Sequence, residues 1–158
     1  MNRRTLVLLL FLVPFPGCRD TTIEDGVAAL NSTRIDQIYN CYTLYRNNNG
    51  YRGPKNQEEL KKFLLQPIYE RNLKLMQIDP ENLDELFISE RDGQPFKIRW
   101  SVNGWGDKAL VFESVGVNGK RLVALSDTRE VDDAEYDGLW SGKVKVETKL
   151  PNQDEGPQ

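Results

Sequence analysis

The sequence predicts an α+β domain, with an N-terminal helix and further short helices packed on a small, three- to four-stranded antiparallel sheet. Two observations carry that expectation. Through the first half, apolar residues recur at intervals of three and four, the spacing of a helix face; from Phe96 onward they alternate, the spacing of a strand. The separators Asn103-Gly-Trp-Gly-Asp107 and Gly116-Val-Asn-Gly119 are turn chemistry, and Asn118-Gly119 is among the stronger short hairpin signals.

The chain begins with an address. Met1-Asn-Arg-Arg4 is a basic start, Leu6 to Val13 is an apolar run, and Pro14-Phe-Pro-Gly-Cys18 ends it, the parts of an export signal. The run is far shorter than the roughly 20 residues that span a bilayer as a helix. Gly17-Cys18 resembles the lipobox of bacterial lipoproteins. That resemblance implies diacylation of the Cys18 thiol with palmitate-like chains and cleavage before it. Phe15-Pro16 departs from the usual Leu and small-residue pattern. Each buried methylene contributes about 0.8 kcal/mol, so two or three chains hold a protein on a membrane where one is marginal. Arg19 stands where an Asp would favour retention in the inner membrane, which points to the outer one. The organisation expected is a signal at 1–17, a lipidated Cys with a tether or helix start at 18–32, a domain at 33–150 and a disordered tail at 151–158.

Within the exported part, Thr22-x-x-Asp25 and Thr33-x-x-Asp36 are alternative starts for a first helix. A start at Thr22 leaves a tether of about four residues, roughly 14 Å. Ile35, Ile38, Tyr42 and Tyr45 mark its inner face, and Asn47-Asn-Asn-Gly50 ends it. Asn56 with Glu59 starts a second helix that stops before Pro67, and Ile68 to Gln77 adds a turn or two. Asp79-Pro80 opens a short helix with Leu83, Leu86 and Phe87 inward. Phe96–Val102, Ala109–Val115 and Arg121–Ser126 then read as a three-stranded meander. Asp132 or Asp133 caps a helix carrying Tyr136, Leu139 and Trp140, and Lys143–Leu150 alternates as an edge strand. Cys41 is a core residue, as are Trp100 and Trp140. Tyr39 and Tyr51 are the tyrosines placed to meet a glycan or partner, and Trp105 sits at a hairpin tip.

Composition narrows the chemistry. The 158 residues include no His and two Cys, which removes imidazole acid/base catalysis, His metal sites and Cys-based zinc sites. Of the 21 basic side chains, Arg3 and Arg4 lie in the signal, leaving 19 against 24 acids, a net charge of −5. Such a balance argues against a nucleic-acid partner. Carboxylate pairs at Glu58-Glu59, Asp84-Glu85 and Asp132-Asp133 leave a carboxylate-dependent hydrolase as one alternative, without a nucleophile motif beside them.

Tyr45-Arg-Asn-Asn-Asn-Gly-Tyr51 with Pro54, Asp92-Gly-Gln-Pro-Phe96, Ser114-Val-Gly-Val-Asn-Gly119 and the acids Asp132-Asp133 together resemble the soluble domain of the major pseudopilin of type II secretion. The long hydrophobic helix of that family, with a Glu near its start, has no counterpart in this sequence. The resemblance implies a pseudopilin-like fold on a lipid anchor and a structural or protein-interaction role. The partners it implies are the membrane and envelope or secretion-system proteins. The family's calcium site implies ligands at Asn118, Asp127, Asp132 and Asp133, with Glu130 nearby, and a small-ligand or calcium-binding lipoprotein is the other alternative. Read from the residues alone, these acids equally suit a helix start and a solvated surface. Calcium is the only cofactor anticipated.

Overall fold

A computed structural model describes residues 32–104 and 108–143. Thr33 caps the first helix, α1 (Arg34–Asn48): its hydroxyl accepts from the Asp36 N–H and donates to the Asp36 carboxylate, so the second of the two starts is the one seen. The helix ends as expected, with Gly50 and Tyr51 both in the left-handed region and the Tyr51 N–H donating to the Arg46 carbonyl at 2.9 Å. The Thr22 alternative lies outside the described residues.

Asn56 opens α2 (Gln57–Leu64) in the expected way. Its side chain accepts from the Glu59 N–H at 2.9 Å while Glu59 reaches back to the Lys55 N–H at 2.6 Å. A 3₁₀ turn (Pro67–Tyr69) and α3 (Glu70–Leu75) follow. The Asp79-Pro80 segment is two 3₁₀ turns, Pro80–Asn82 and Glu85–Phe87, in place of one helix, yet Leu83, Leu86 and Phe87 are buried as its spacing required.

The sheet is an antiparallel meander of β1 (Lys97–Ile98), β2 (Val111–Phe112), β3 (Arg121–Ala124) and β4 (Thr128–Val131), in that spatial order. Asn118 and Gly119 both take positive φ at the β2–β3 turn, which Val117 and Lys120 close by exchanging backbone bonds, the geometry that Asn-Gly favours. The fourth strand comes from residues 128–131, a segment that the alternation did not mark as a strand. The expected edge strand at Lys143–Leu150 falls, beyond Lys143, outside the described residues, as does the tail. The last helix, α4 (Asp133–Ser141), is capped by Asp132, which accepts from the Glu135 N–H at 2.9 Å, and ends at left-handed Gly142.

Alternation sorts the sheet's side chains into two cores. Val111 and Ala124 join Ile35, Ile38, Tyr42 and the other apolar residues of the helical half. Phe112 and Val123 face the other way, onto Tyr136 and Leu139 of α4. Both faces of the central strands are therefore covered, which is why Ala109–Phe112 is a continuous apolar run. Cys41 is fully buried, as expected for a small apolar residue, and burial pushes its thiol pKa up to about 12. Trp140 departs from expectation. It is 40% exposed because it lies at the rim of the second core, edge-on to Phe112 at 5.0 Å. Among the described residues no helix is long and apolar enough to cross a membrane.

β1 is shorter than the alternation in Phe96–Val102 suggested, because the chain leaves the sheet after Arg99. Ser101 turns through positive φ and donates to the Pro54 carbonyl at 2.8 Å, while the Gly53 N–H reaches the Val102 carbonyl at 3.0 Å. The buried Tyr42 hydroxyl holds this departure: it donates to the Arg99 carbonyl at 2.8 Å and accepts from the Val102 N–H at 3.1 Å. Gly53 lies so close that an added Cβ would press on that hydroxyl and come within 2.7 Å of the Val102 carbonyl. Tyr42→Phe orphans a buried donor and should cost about 1–3 kcal/mol. Guanidinium denaturation of the parent and variant checks this, and coincident midpoints would show that the bridge contributes nothing.

Candidate functional site

The acids named for calcium do not come together. Because residues 128–131 form an extended strand, Asp127 sits at one end of β4 and Asp132 at the other, about 17 Å of extended chain apart. Asp127 lines a cleft of about 440 Å³ between the β3–β4 turn and Asp36, Tyr39 and Asn40 of α1, where the Asp36 carboxylate accepts from the Thr128 hydroxyl. Asp132 is committed to the cap of α4. Asp133 pairs with Arg121 at 2.8 Å, and Asn118 stands exposed at the β2–β3 turn. Among the described residues no group of three or more Cys, Asp or Glu is arranged to hold a metal ion. Cys18 and Trp105 lie outside the described residues.

The other carboxylate pairs are likewise apart in role. Glu59 is held by the Lys55 N–H and the Tyr45 hydroxyl, which keep its carboxyl below the usual glutamate range, while Glu58 pairs with Lys61 at 3.2 Å. Asp84 joins the same Lys61 at 2.9 Å, and Glu85 joins Arg34 at 3.2 Å. Sequence reasoning did not anticipate the buried carboxylate of Glu113, which follows β2. Its two oxygens accept from the Ser89 hydroxyl at 3.0 Å and the Leu122 N–H at 2.7 Å, and Arg91 lies 3.6 Å away. Ser89 and Glu113 are 2% and 0% exposed, so this pair is closed to solvent.

The surface feature that stands apart is an apolar groove of about 460 Å³ lined by Leu64, Leu65, Pro67, Leu73, Ile78 and Pro80, with Glu70 and Lys74 on its rim. Pro67 builds it. The ring holds Gln66 extended and ends α2, then starts a 3₁₀ turn that leads into α3, so that residues of both helices line the groove. The tip of this connection carries Leu65 and Ile68, 55% and 75% exposed, the two largest exposures among the apolar side chains of the helical half. Lys62, Arg71 and Lys74 lie within six residues of the tip, exposed and without an ion pair among the described residues, as does one acid, Glu70, whereas nearby Lys61 is held by Asp84 and Glu58. The signal was present in the sequence as two apolar residues flanking a helix-stopping proline, but helical spacing alone does not tell an inward Leu64 from an outward Leu65.

Two of the segments that carry the pseudopilin resemblance meet across the sheet's edge. Asp92 of the Asp-Gly-Gln-Pro step accepts from the Gly116 N–H at 2.7 Å and the Gln94 N–H at 2.9 Å, and the Ser114 hydroxyl donates to the Pro95 carbonyl. Burial works to raise the Asp92 pKa, yet those N–H donors, with Val115 and Ser89, outweigh it and hold the carboxyl below the usual aspartate range. A depressed folded-state pKa means stability present above the unfolded value, near 3.9, and lost as pH falls through the folded one. Asp92→Asn should therefore destabilise the domain by on the order of 1 kcal/mol at pH 7. The gap to the parent should close on acidification below about pH 4, as followed by thermal melts across pH. A gap that does not narrow there would refute the assignment.

Comparison with protein-family models, with curated proteins and with solved structures finds no match to this chain.

Proposed function

We propose that this protein is an envelope lipoprotein, anchored through Cys18 and carrying a pseudopilin-like α+β domain with a structural or protein-interaction role beside a secretion or pilus-like system. The observation that carries the reading is Gly17-Cys18 at the point where a basic start and a short apolar run end. Acyl chains on that Cys supply the attachment that the eight apolar residues from Leu6 to Val13 are too few to give as a spanning helix.

Two further observations support it. Thirteen residues separate Cys18 from Ser32, where the described domain begins, so the anchor keeps Ser32 within about 50 Å of the bilayer. The Asp92-Gly-Gln-Pro and Ser114–Gly119 segments, two of those on which the pseudopilin resemblance rests, touch through the Asp92 carboxylate and the Gly116 N–H. The position of Arg19 favours the outer membrane.

Intact mass and N-terminal peptide mapping of protein purified from cell membranes should find Cys18 acylated and first in the mature chain. Cys18→Ala should move the protein from the membrane fraction to the soluble one or leave it uncleaved. An unmodified Cys18 inside a longer mature chain would overturn the anchor.

A further inference from the structure

The groove between α2 and α3 lies at the end of the domain where the chain enters. Ile78 lines the groove on one side and, on the other, a cleft with Ser32, Arg34 and Gln37 at the start of α1, where the Gln37 side chain donates to the Met76 carbonyl at 3.1 Å; the acids of that cleft are engaged, Glu85 and Glu90 by Arg34 and Asp79 as a cap. Anything that brings the amino-terminal side of Ser32 to a membrane brings this groove to it as well. Charge agrees with that placement. The chain as a whole is acidic, yet Lys61 to Leu75 holds four basic residues and one acid. Lys62 lies three residues before exposed Leu65 and Arg71 three after exposed Ile68, so each apolar side chain at the tip has a cation a helical turn away. Arg71 and Lys74 repeat that spacing on α3.

We propose that the Leu65–Ile68 tip and its groove dock on an anionic phospholipid bilayer, the apolar side chains entering the boundary between headgroups and acyl chains while Lys62, Arg71 and Lys74 meet lipid phosphates. Apolar residues inserted by a few ångströms, ringed by cations, are the two parts of interfacial binding. Long basic side chains suit it because their stems cover apolar surface while their heads stay in the polar layer. The inference rests on the lipoprotein reading for proximity: one weak surface becomes an effective second contact when an anchor already holds the chain within reach, since the binding step is then intramolecular.

The test uses the full protein purified from membranes and an environment-sensitive maleimide probe on the Ile68→Cys variant. Residue 68 is 75% exposed, so the change leaves the core intact, and buried Cys41, its thiol pKa near 12, stays unlabelled at neutral pH. Acylation blocks Cys18. Co-flotation with vesicles reads the anchor, and the emission of the probe reads the docking. Phosphatidylglycerol vesicles should give co-flotation and a blue shift several-fold larger than phosphatidylcholine vesicles give. Adding K62E/R71E/K74E should remove the shift and leave flotation intact, because each cation near an anionic surface is worth roughly a fivefold change in partitioning.

A chain that floats with no shift overturns the docking and leaves the anchor standing; a chain that neither floats nor shifts overturns both. Equal shifts on the two lipids, or a shift that survives charge reversal, overturn the anionic bilayer as occupant. A shift that grows with protein concentration in the absence of vesicles assigns the groove to a second copy of the chain instead.

Discussion

The buried carboxylate of Glu113 is the constraint around which the two halves of the domain are arranged. A carboxylate out of water is costly unless its oxygens are occupied and a cation stands near. Here the Ser89 hydroxyl takes one oxygen, the Leu122 N–H takes the other, and Arg91 approaches to 3.6 Å while also pairing with Glu130 at 2.8 Å. These partners come from the loop after the helical half, from β3 and from β4. The Glu113 N–H still donates to the Leu122 carbonyl at 2.9 Å, so at this rung a side chain replaces the backbone acceptor of the ladder. The Glu113 carbonyl, released from the sheet, accepts from the Tyr136 hydroxyl at 2.9 Å and ties α4 to the opposite face. One residue thus fixes the 89–92 loop, the offset of β2 against β3 and the seat of the last helix.

The same device recurs because the sheet is small. Strands of two residues supply few ladder bonds, and the ends of β1 and β2 are completed by side chains. Tyr42 bridges the Arg99 carbonyl and the Val102 N–H, and Asp92 takes the Gly116 N–H. Arg99 lies 5.5 Å from the rings of both Phe112 and Trp140 and donates to the Leu139 and Trp140 carbonyls, placing a cation at the C-terminal end of α4. That contact explains the half-exposed Trp140: its ring is one wall of the Arg99 site as much as a part of the core. Each of these bonds crosses between elements distant in sequence, so the meander depends on the helices for its edges.

Local signals were legible in the sequence where their physics is local. The caps at Thr33, Asn56, Asp79 and Asp132 were readable from residue type and spacing, as were the Asn118-Gly119 turn and the apolar face of α1. β4 was not. Thr128-Arg-Glu-Val131 has one buried apolar residue, and only pairing with β3 and ion pairs from Arg129 to Glu135 and Glu130 to Arg91 make it a strand. Missing it left Asp127 and Asp132 looking close enough to share one calcium ion. Glu113 was hidden for the opposite reason, since an acid at an alternating position reads as the solvent face, and its burial is decided by Ser89 and Arg91 from another part of the chain.

A chain without His, with more acids than bases, leaves carboxylates as the conspicuous candidates for function, and the structure shows what many of them do. Asp79, Asp92 and Asp132 accept backbone N–H groups, Asp36 accepts the hydroxyls of Thr33 and Thr128, and Glu58, Asp84, Glu85, Glu130, Asp133 and Glu135 face Lys or Arg. An acid-rich sequence can therefore leave a local patch whose unpaired charge is net positive. That surplus, Lys62, Arg71 and Lys74 against Glu70, lies within a few residues of the most exposed apolar side chains of the helical half, Leu65 and Ile68. Net charge describes the average over the molecule. Where the acids are consumed by caps and ion pairs, the charge that a partner meets is set by the few residues left over.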